Sequence, residues 1–217
     1  MKYRLVAFSG GVLCTLLGET NFWDFVRKLY SIPNLRKPYM EGKITRAEMM
    51  EEYKYWREKG LTKSKLEEDV RNNLKIMPGA RELFAQLRSH GIASAIISGS
   101  ADILVRQLAK ELNPKYTACN EIVFDKNDLP HLTRPTHPTK DARMDKIYAL
   151  QDFAAREKIT KKDCAVVGHH KEQIEWFHAA AFSIAFNPLD DEIAQAASVV
   201  VESTDMRDLA KYLIKEE

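Results

Sequence analysis

No aspartate or glutamate occurs in residues 1–18, and the first acidic side chain is Glu19. Any chemistry carried by the amino-terminal segment is therefore carried without a carboxylate. Cysteine is scarce as well. Cys14, Cys119 and Cys164 are an odd number without metal-type spacing, which argues against a disulfide framework and fits buried thiols in a reducing compartment. Net charge is nearly absent, with 33 Lys and Arg against 31 Asp and Glu, so neither nucleic acid nor an anionic membrane is expected as a partner. No apolar run approaches the length of a membrane span, and the early basic residues are not followed by the apolar core of a secretory leader. The expectation is a soluble, cytoplasmic protein, long enough at 217 residues for one domain plus a lobe.

What the chain does contain begins with Leu5-Val6-Ala7-Phe8-Ser9-Gly10-Gly11-Val12-Leu13. An apolar run too short for a helix and closed by turn residues reads as a strand buried on both faces. The Ser9-Gly10-Gly11 turn lets backbone approach whatever sits at the strand's carboxyl end, where open α/β sheets bind ligands. Residues 19–75 then change character. Asn21 to Tyr30 places Phe22, Phe25, Val26 and Leu29 at helical spacing, and Thr45 with Glu48 reads as a capping box. Helices are expected over Ala47–Lys59 and Thr62–Leu74, with no strand-like run between them, so the segment reads as a small helical lobe.

From Met77 the rhythm alternates. Helices are expected over Pro78–His90, Ala101–Leu112, Ala142–Lys158 and Lys171–Ala181. Strands are expected at Ile92–Ile97, Ile122–Phe124, Cys164–Val167, Ser183–Phe186 and Ser198–Val201, and residues 125–141 as loop. This alternation predicts an α/β fold with a doubly wound, mostly parallel sheet, built from residues 1–18 and 76–217, with residues 19–75 as an inserted helical lobe.

In such a sheet, loops after neighbouring strands converge on one crevice. The candidates are Ser9-Gly10-Gly11, Ser98-Gly99-Ser100 and Gly168-His169-His170. A strand that ends in Ser-Gly-Ser offers a hydroxyl and free backbone N–H groups to an anion, although Ser98 is equally suited to capping the helix that follows. Lys146 reads either as a solvated lysine or as a cation directed into the crevice.

The order of these pieces resembles the haloacid-dehalogenase-like superfamily, and within it the phosphoserine-phosphatase-like branch, over nearly the whole chain. The lobe with Glu41-Gly42-Lys43-Ile44-Thr45 looks like that branch's helical cap. Ile76-Met77-Pro78-Gly79-Ala80, followed by Leu83, Leu87 and Gly91, is similar to the lead into the second motif. Ala95-Ile96-Ile97-Ser98-Gly99 resembles the motif itself, and Asn120-Glu121-Ile122 the segment after it. Ala165-Val166-Val167-Gly168 and Ile184-Ala185-Phe186-Asn187-Pro188 resemble the third-motif strand and its successor. The resemblance implies a Rossmann-like core, a phosphate-holding serine at Ser98 with Gly99, and a phosphate-neutralising lysine at Lys146.

The resemblance also implies an Asp-x-Asp pair after the first strand, one residue attacking phosphorus and the other trading a proton with the leaving group. Here Phe8-Ser9-Gly10 stands in that place. Acidic Mg²⁺ ligands are implied after Gly168, where His169, His170, Lys171, Glu172 and Gln173 follow instead. Imidazoles substitute poorly for hard oxygen ligands, so no cofactor is expected and Mg²⁺ at most weakly. In the cap, Tyr53 falls where an arginine for the substrate carboxylate is implied, and Glu19 resembles a cap-proximal position. A crevice that keeps Ser9, Gly10, Ser98, Gly99 and Lys146 while losing its carboxylates is left positive. The expectation is a protein inactive as a phosphatase that binds phosphate or a phosphorylated metabolite. Three alternatives stay open. Ser9 or Cys14 serves as a displaced nucleophile with His169 or His170 as base; His169, His170 and His178 hold a transition metal; or Trp23, Tyr53, Tyr55 and Trp56 dock a protein partner or a second copy of the chain.

Overall fold

The amino-terminal apolar run forms β1 (Leu5–Ser9), buried along its whole length. The computed structural model describes residues 3–135 and 145–214. The further strands are β2 (Cys14–Leu16), β3 (Leu74–Ile76), β4 (Ala93–Ala101), β5 (Tyr116–Phe124), β6 (Pro130–Arg134), β7 (Cys164–Gly168), β8 (Phe182–Phe186) and β9 (Val199–Val201). Seven of them make one sheet in the order β6-β5-β4-β1-β7-β8-β9. All neighbours run parallel except β6, which pairs antiparallel with β5. The doubly wound α/β fold expected from the alternation is the fold observed.

Side chains alternate across β1, and the alternation divides the core in two. Val6 and Phe8 face one layer, where Phe8 meets Phe84 with ring centroids 4.8 Å apart. Leu5 and Ala7 face the other, with Ile97, Val166, Phe153 and Trp176. A strand buried on both faces must be apolar at every position, which is why this run carries no polar residue before Ser9.

Several elements differ from the sequence reading. β2 and β3 pair antiparallel as a separate ribbon, with Cys14 opposite Ile76 and Leu16 opposite Leu74, so strand structure brackets the helical segment at both ends. The helix expected to reach Leu74 stops at Asn73, because Leu74 and Ile76 flank Lys75 in strand alternation. Residues 130–134, expected as loop, form β6; Pro130 is its first residue, where an edge strand tolerates a missing N–H. β5 begins at Tyr116, well before the expected Ile122. The helix carrying Lys146 is described over Asp145–Arg156, while the loop and helix start expected over 136–144 lie outside the described residues. The expected Lys171–Ala181 helix is a 3-10 turn over Lys171–Gln173 followed by a helix over Ile174–His178.

Between the ribbon strands, the Phe22–Tyr30 helix is capped by Asn21, which accepts from the Asp24 N–H. The Arg46–Met50 helix has the expected Thr45–Glu48 capping box. Phe22, Phe25 and Trp56 are fully buried among the helices. Arg27 clamps Glu52 through two hydrogen bonds of 3.0 and 2.9 Å. Two further contacts fasten this segment to the sheet: the Phe22 N–H donates to Ser100 Oγ at 2.9 Å, and Trp23 Nε1 donates to Gly99 O at 3.0 Å. On the other side, Arg57 pairs with Asp125 at 2.7 Å, and the Tyr53 hydroxyl lies 2.5 Å from Thr133 Oγ1. Among the described residues, no helix is long and apolar enough to cross a membrane.

Candidate functional site

Because β1 lies between β4 and β7, Ser9, Ser98 and Gly168 end at one edge of the sheet. The register sets Ser9 opposite Ile97 and Phe8 opposite Val167. Ser9 is buried, and a short helical turn over Gly10–Leu13 follows it. A Cβ on Gly10 would lie 2.6 Å from Ser98 Oγ, so the bare glycine is what allows the first and second strand ends to touch.

The Ser9 hydroxyl accepts from both sides. Gln173 Nε2 donates to it at 2.9 Å, and Lys146 Nζ at 3.4 Å. Lys146 also donates to the Ile97 carbonyl at 2.8 Å and stands 5.0 Å above the centre of the Trp176 ring. Burial lowers its pKa to about 8, against a smaller opposing pull from Glu172. Among the described residues, no carboxylate lies within ion-pair distance of this ammonium. Glu172, the nearest acid in sequence to Gln173, is instead held by Arg36 Nη2, 3.0 Å from each carboxylate oxygen.

Gln173 uses the other end of its amide as well. Its Oε1 accepts from the His169 N–H at 2.9 Å and the His170 N–H at 3.4 Å. A Cβ on Gly168 would lie 2.2 Å from that oxygen, so the amide fills the hollow above the bare backbone at the end of β7. The two histidines part company. His170 Nδ1 accepts from the Glu172 N–H at 3.2 Å and caps the 3-10 turn. His169 turns inward against Gly11, where a Cβ would lie 2.5 Å from its Cε1, and its Nδ1 is buried without a partner. Burial first, then the Lys146 and His170 charges, lower the His169 pKa to about 4, so the ring is neutral at physiological pH.

Ser98, Gly99 and Ser100 form an irregularity inside β4 and not a helix start, since the pairing register shifts between Ile97 and Ala101. The following helix begins at Asp102, with Ala101 at its N-cap and no side-chain cap. This removes helix capping as the role of Ser98. Its Oγ accepts from the Ser100 N–H at 3.1 Å, while Gly99 O is taken by Trp23 and Asn120.

Other residues singled out from the sequence lie elsewhere. Phe8 is a correction: it packs on Phe84 in the core and does not face the crevice. Tyr53 packs edge-on against Trp56 and bonds Thr133 in the seam with β6. Glu19 pairs with Lys28 at 2.8 Å. Cys14 is buried in the core at the start of β2, and burial pushes its thiol up to about 12. Among the described residues, no three His, Cys, Asp or Glu side chains cluster as a metal site, so His169, His170 and His178 do not converge. Sequence reasoning found Gly11 as part of the first strand's turn but missed Trp176 and the Ile97 carbonyl. Trp176 stands three positions after Gln173, a spacing that could have flagged it, whereas a backbone acceptor leaves no sequence signal.

A cleft of about 370 Å³ lies beside the strand ends, lined by Asp24, Asn34, Arg36, Lys37, Glu41 and Glu172. A second, of about 490 Å³, lies in the seam with β6 and includes Tyr53, Arg57, Asp125 and His131.

A doubly wound sheet whose β1, β4 and β7 turns converge at its carboxyl edge, with Lys146 and Gln173 on Ser9, defines the class of fold. The profile of the haloacid dehalogenase-like hydrolases matches residues 8–172, and the chain belongs to that family. It is 33% identical over 132 residues to phosphoserine phosphatase SerB2 of Mycobacterium tuberculosis, covering 60% of this chain and 32% of that protein. It thus spans about a third of the length of that relative. Against the phosphoserine phosphatase of Methanocaldococcus jannaschii it is 25% identical over 186 residues, 84% of this chain and 83% of the other. Among solved structures, a phospho-aspartyl intermediate analogue of phosphoserine phosphatase superposes with a TM-score of 0.77 at 22% identity, covering 98% of this chain and 100% of that one.

The family implies Mg²⁺, which prefers carboxylate, carbonyl and water oxygens. The donor set here does not fit it. The Ser9 hydroxyl already accepts two hydrogen bonds, Gln173 Oε1 is engaged by two backbone N–H groups, and His169 offers only a ring nitrogen. An ammonium 3.4 Å from Ser9 Oγ would repel a second cation placed there.

Proposed function

We propose that this chain is a non-hydrolytic member of its family that binds phosphate or a phosphorylated small molecule at the ends of β1 and β4. The observation that carries the reading is Lys146: an inward-directed ammonium, partly desolvated, with no carboxylate partner among the described residues. A tetrahedral oxyanion beside it relieves the desolvation that depresses its pKa. The Ser98 hydroxyl, next to Gly10, adds a donor to the same edge.

The chemistry of hydrolysis finds little support. Phosphoryl transfer rests on positioning and charge stabilisation, and no described carboxylate stands where the family's nucleophile and acid/base would act. Among the described residues, Ser9 has no histidine as a hydrogen-bond partner, and Lys146 and Gln173 both donate to its hydroxyl. Cys14 is a core thiol that, among the described residues, donates to Gly10 O at 3.7 Å alone.

The test is turnover of an aryl phosphate with and without Mg²⁺, beside thermal unfolding with millimolar phosphate. The expected result is no turnover above a buffer blank and a melting temperature raised by phosphate, with the rise lost in Lys146→Met. Mg²⁺-dependent turnover that disappears in Ser9→Ala would overturn the reading.

A further inference from the structure

A divalent cation in a strand-end crevice does two jobs: it ties the loops together and it supplies positive charge to an incoming anion. In this chain both jobs fall to side chains. Gln173 does the tying. One planar amide accepts from the N–H groups of His169 and His170 after β7 and donates to Ser9 at the end of β1. Lys146 supplies the charge from the opposite side, anchored on the Ile97 carbonyl of β4 and reaching Ser9. Together they connect the turns of β1, β4 and β7.

We propose that Gln173 takes over the tying role of a divalent cation, so that the crevice, with the charge of Lys146, binds a tetrahedral oxyanion without any metal. This rests on the anion-binding reading above and deepens it. Gln173 is a positioning residue: it holds the turn after β7 and the Ser9 hydroxyl in place, and it is uncharged, so it adds no negative charge to compete with the ligand for Lys146. A metal ligand at the same position would be a carboxylate and would pair with Lys146. The neutral amide is what leaves the ammonium free to meet an anion.

The consequence is an anion site indifferent to metal. Calorimetric titration of the full chain with inorganic phosphate, once in EDTA and once in excess Mg²⁺, is expected to give affinities within about twofold of each other. Gln173→Glu keeps the size of the side chain and adds a carboxylate near Lys146. It is expected to weaken phosphate binding about tenfold or more in EDTA, and Mg²⁺ should restore part of the loss. A purely structural role for Gln173 would lower stability in both conditions without this metal-dependent recovery. If Gln173→Glu fails to fold, Lys146→Met and the wild-type comparison still decide. Phosphate binding by the wild type only when Mg²⁺ is present would overturn this inference and leave the anion-binding reading intact. Absence of phosphate binding in both conditions would overturn both.

Discussion

The Gln173 amide donates to the Ser9 hydroxyl at 2.9 Å across 164 positions of sequence. This bond closes the edge of the sheet, because the other end of the same amide holds the turn after β7. Gln173 is buried, so its removal takes the side-chain acceptor from the His169 and His170 N–H groups and leaves the Ser9 hydroxyl, among the described residues, with Lys146 alone. Each such loss costs roughly 1–3 kcal/mol. Gln173→Ala is expected to lower unfolding free energy by about 2–4 kcal/mol in urea titration, well above a typical surface substitution.

His169 makes the protein sensitive to acid. Its pKa is about 4 when folded, against an ordinary 6.5, so the unfolded chain binds a proton that the folded chain resists. Stability is full above about pH 6.5 and falls as pH drops from there towards 4. The loss amounts to up to about 3 kcal/mol. Denaturant midpoints measured between pH 7.5 and 4 should show this slope, and His169→Asn should flatten it.

Lys146 acts at the other end of the scale. Its folded pKa of about 8 lies below the ordinary 10.5, so its desolvation cost is present at neutral pH and fades as pH rises from 8 to 10.5. An anion beside the ammonium raises that pKa, and its own binding requires the protonated form. Sulfate, which does not titrate in this range, should therefore bind well at pH 7 and progressively less above the lysine's pKa. The pH profile should vanish with the binding itself in Lys146→Met.

Arg27 and Glu52 form a nearly buried pair, with side-chain exposures of 10% and 9%. Removing Arg27 strands the buried Glu52 carboxylate, whereas removing Glu52 leaves Arg27 its ion pair with Asp24 at 2.9 Å. Arg27→Leu is expected to cost about 3 kcal/mol and Glu52→Leu less, whereas the double Arg27→Leu/Glu52→Leu should recover a good part of the Arg27→Leu loss. Chemical denaturation of the two singles and the double measures the coupling.

The thiols should be inert. Cys14 and Cys119 are both pushed up to about 12 and Cys164 to about 11, chiefly by burial. A colourimetric thiol reagent at pH 8 should react far more slowly with the native protein than with the denatured chain. Fast native labelling of Cys14 would put it in reach of the crevice and reopen its role as a nucleophile.

Local pattern was enough for the strands that run through the middle of the sheet, because burial on both faces demands the largely apolar runs of β1, β4, β7 and β8, in which Ser94 and Ser183 are buried exceptions. It was weaker wherever a strand's existence depends on its partner. β2 and β3 are each only three residues long and find each other across the whole helical segment. β6 forms because it can lie along β5. The same division holds at the site. Ser9 and the Gly168 turn were legible as strand ends, while Ser98, expected at one, lies at an irregularity inside β4, and the inward Phe8 packing and the Tyr53–Thr133 bond were not legible.

By itself, the sequence determined that the amino-terminal strand end carries no acid, and that the chain alternates strands and helices after its helical lobe. Both are local facts of residue type and spacing. Only the tertiary structure decided that Gln173 and Lys146 reach the same hydroxyl from opposite sides. Those contacts span 164 and 137 positions. They depend on strand order and register, which bring β1 between β4 and β7 and which no local pattern encodes.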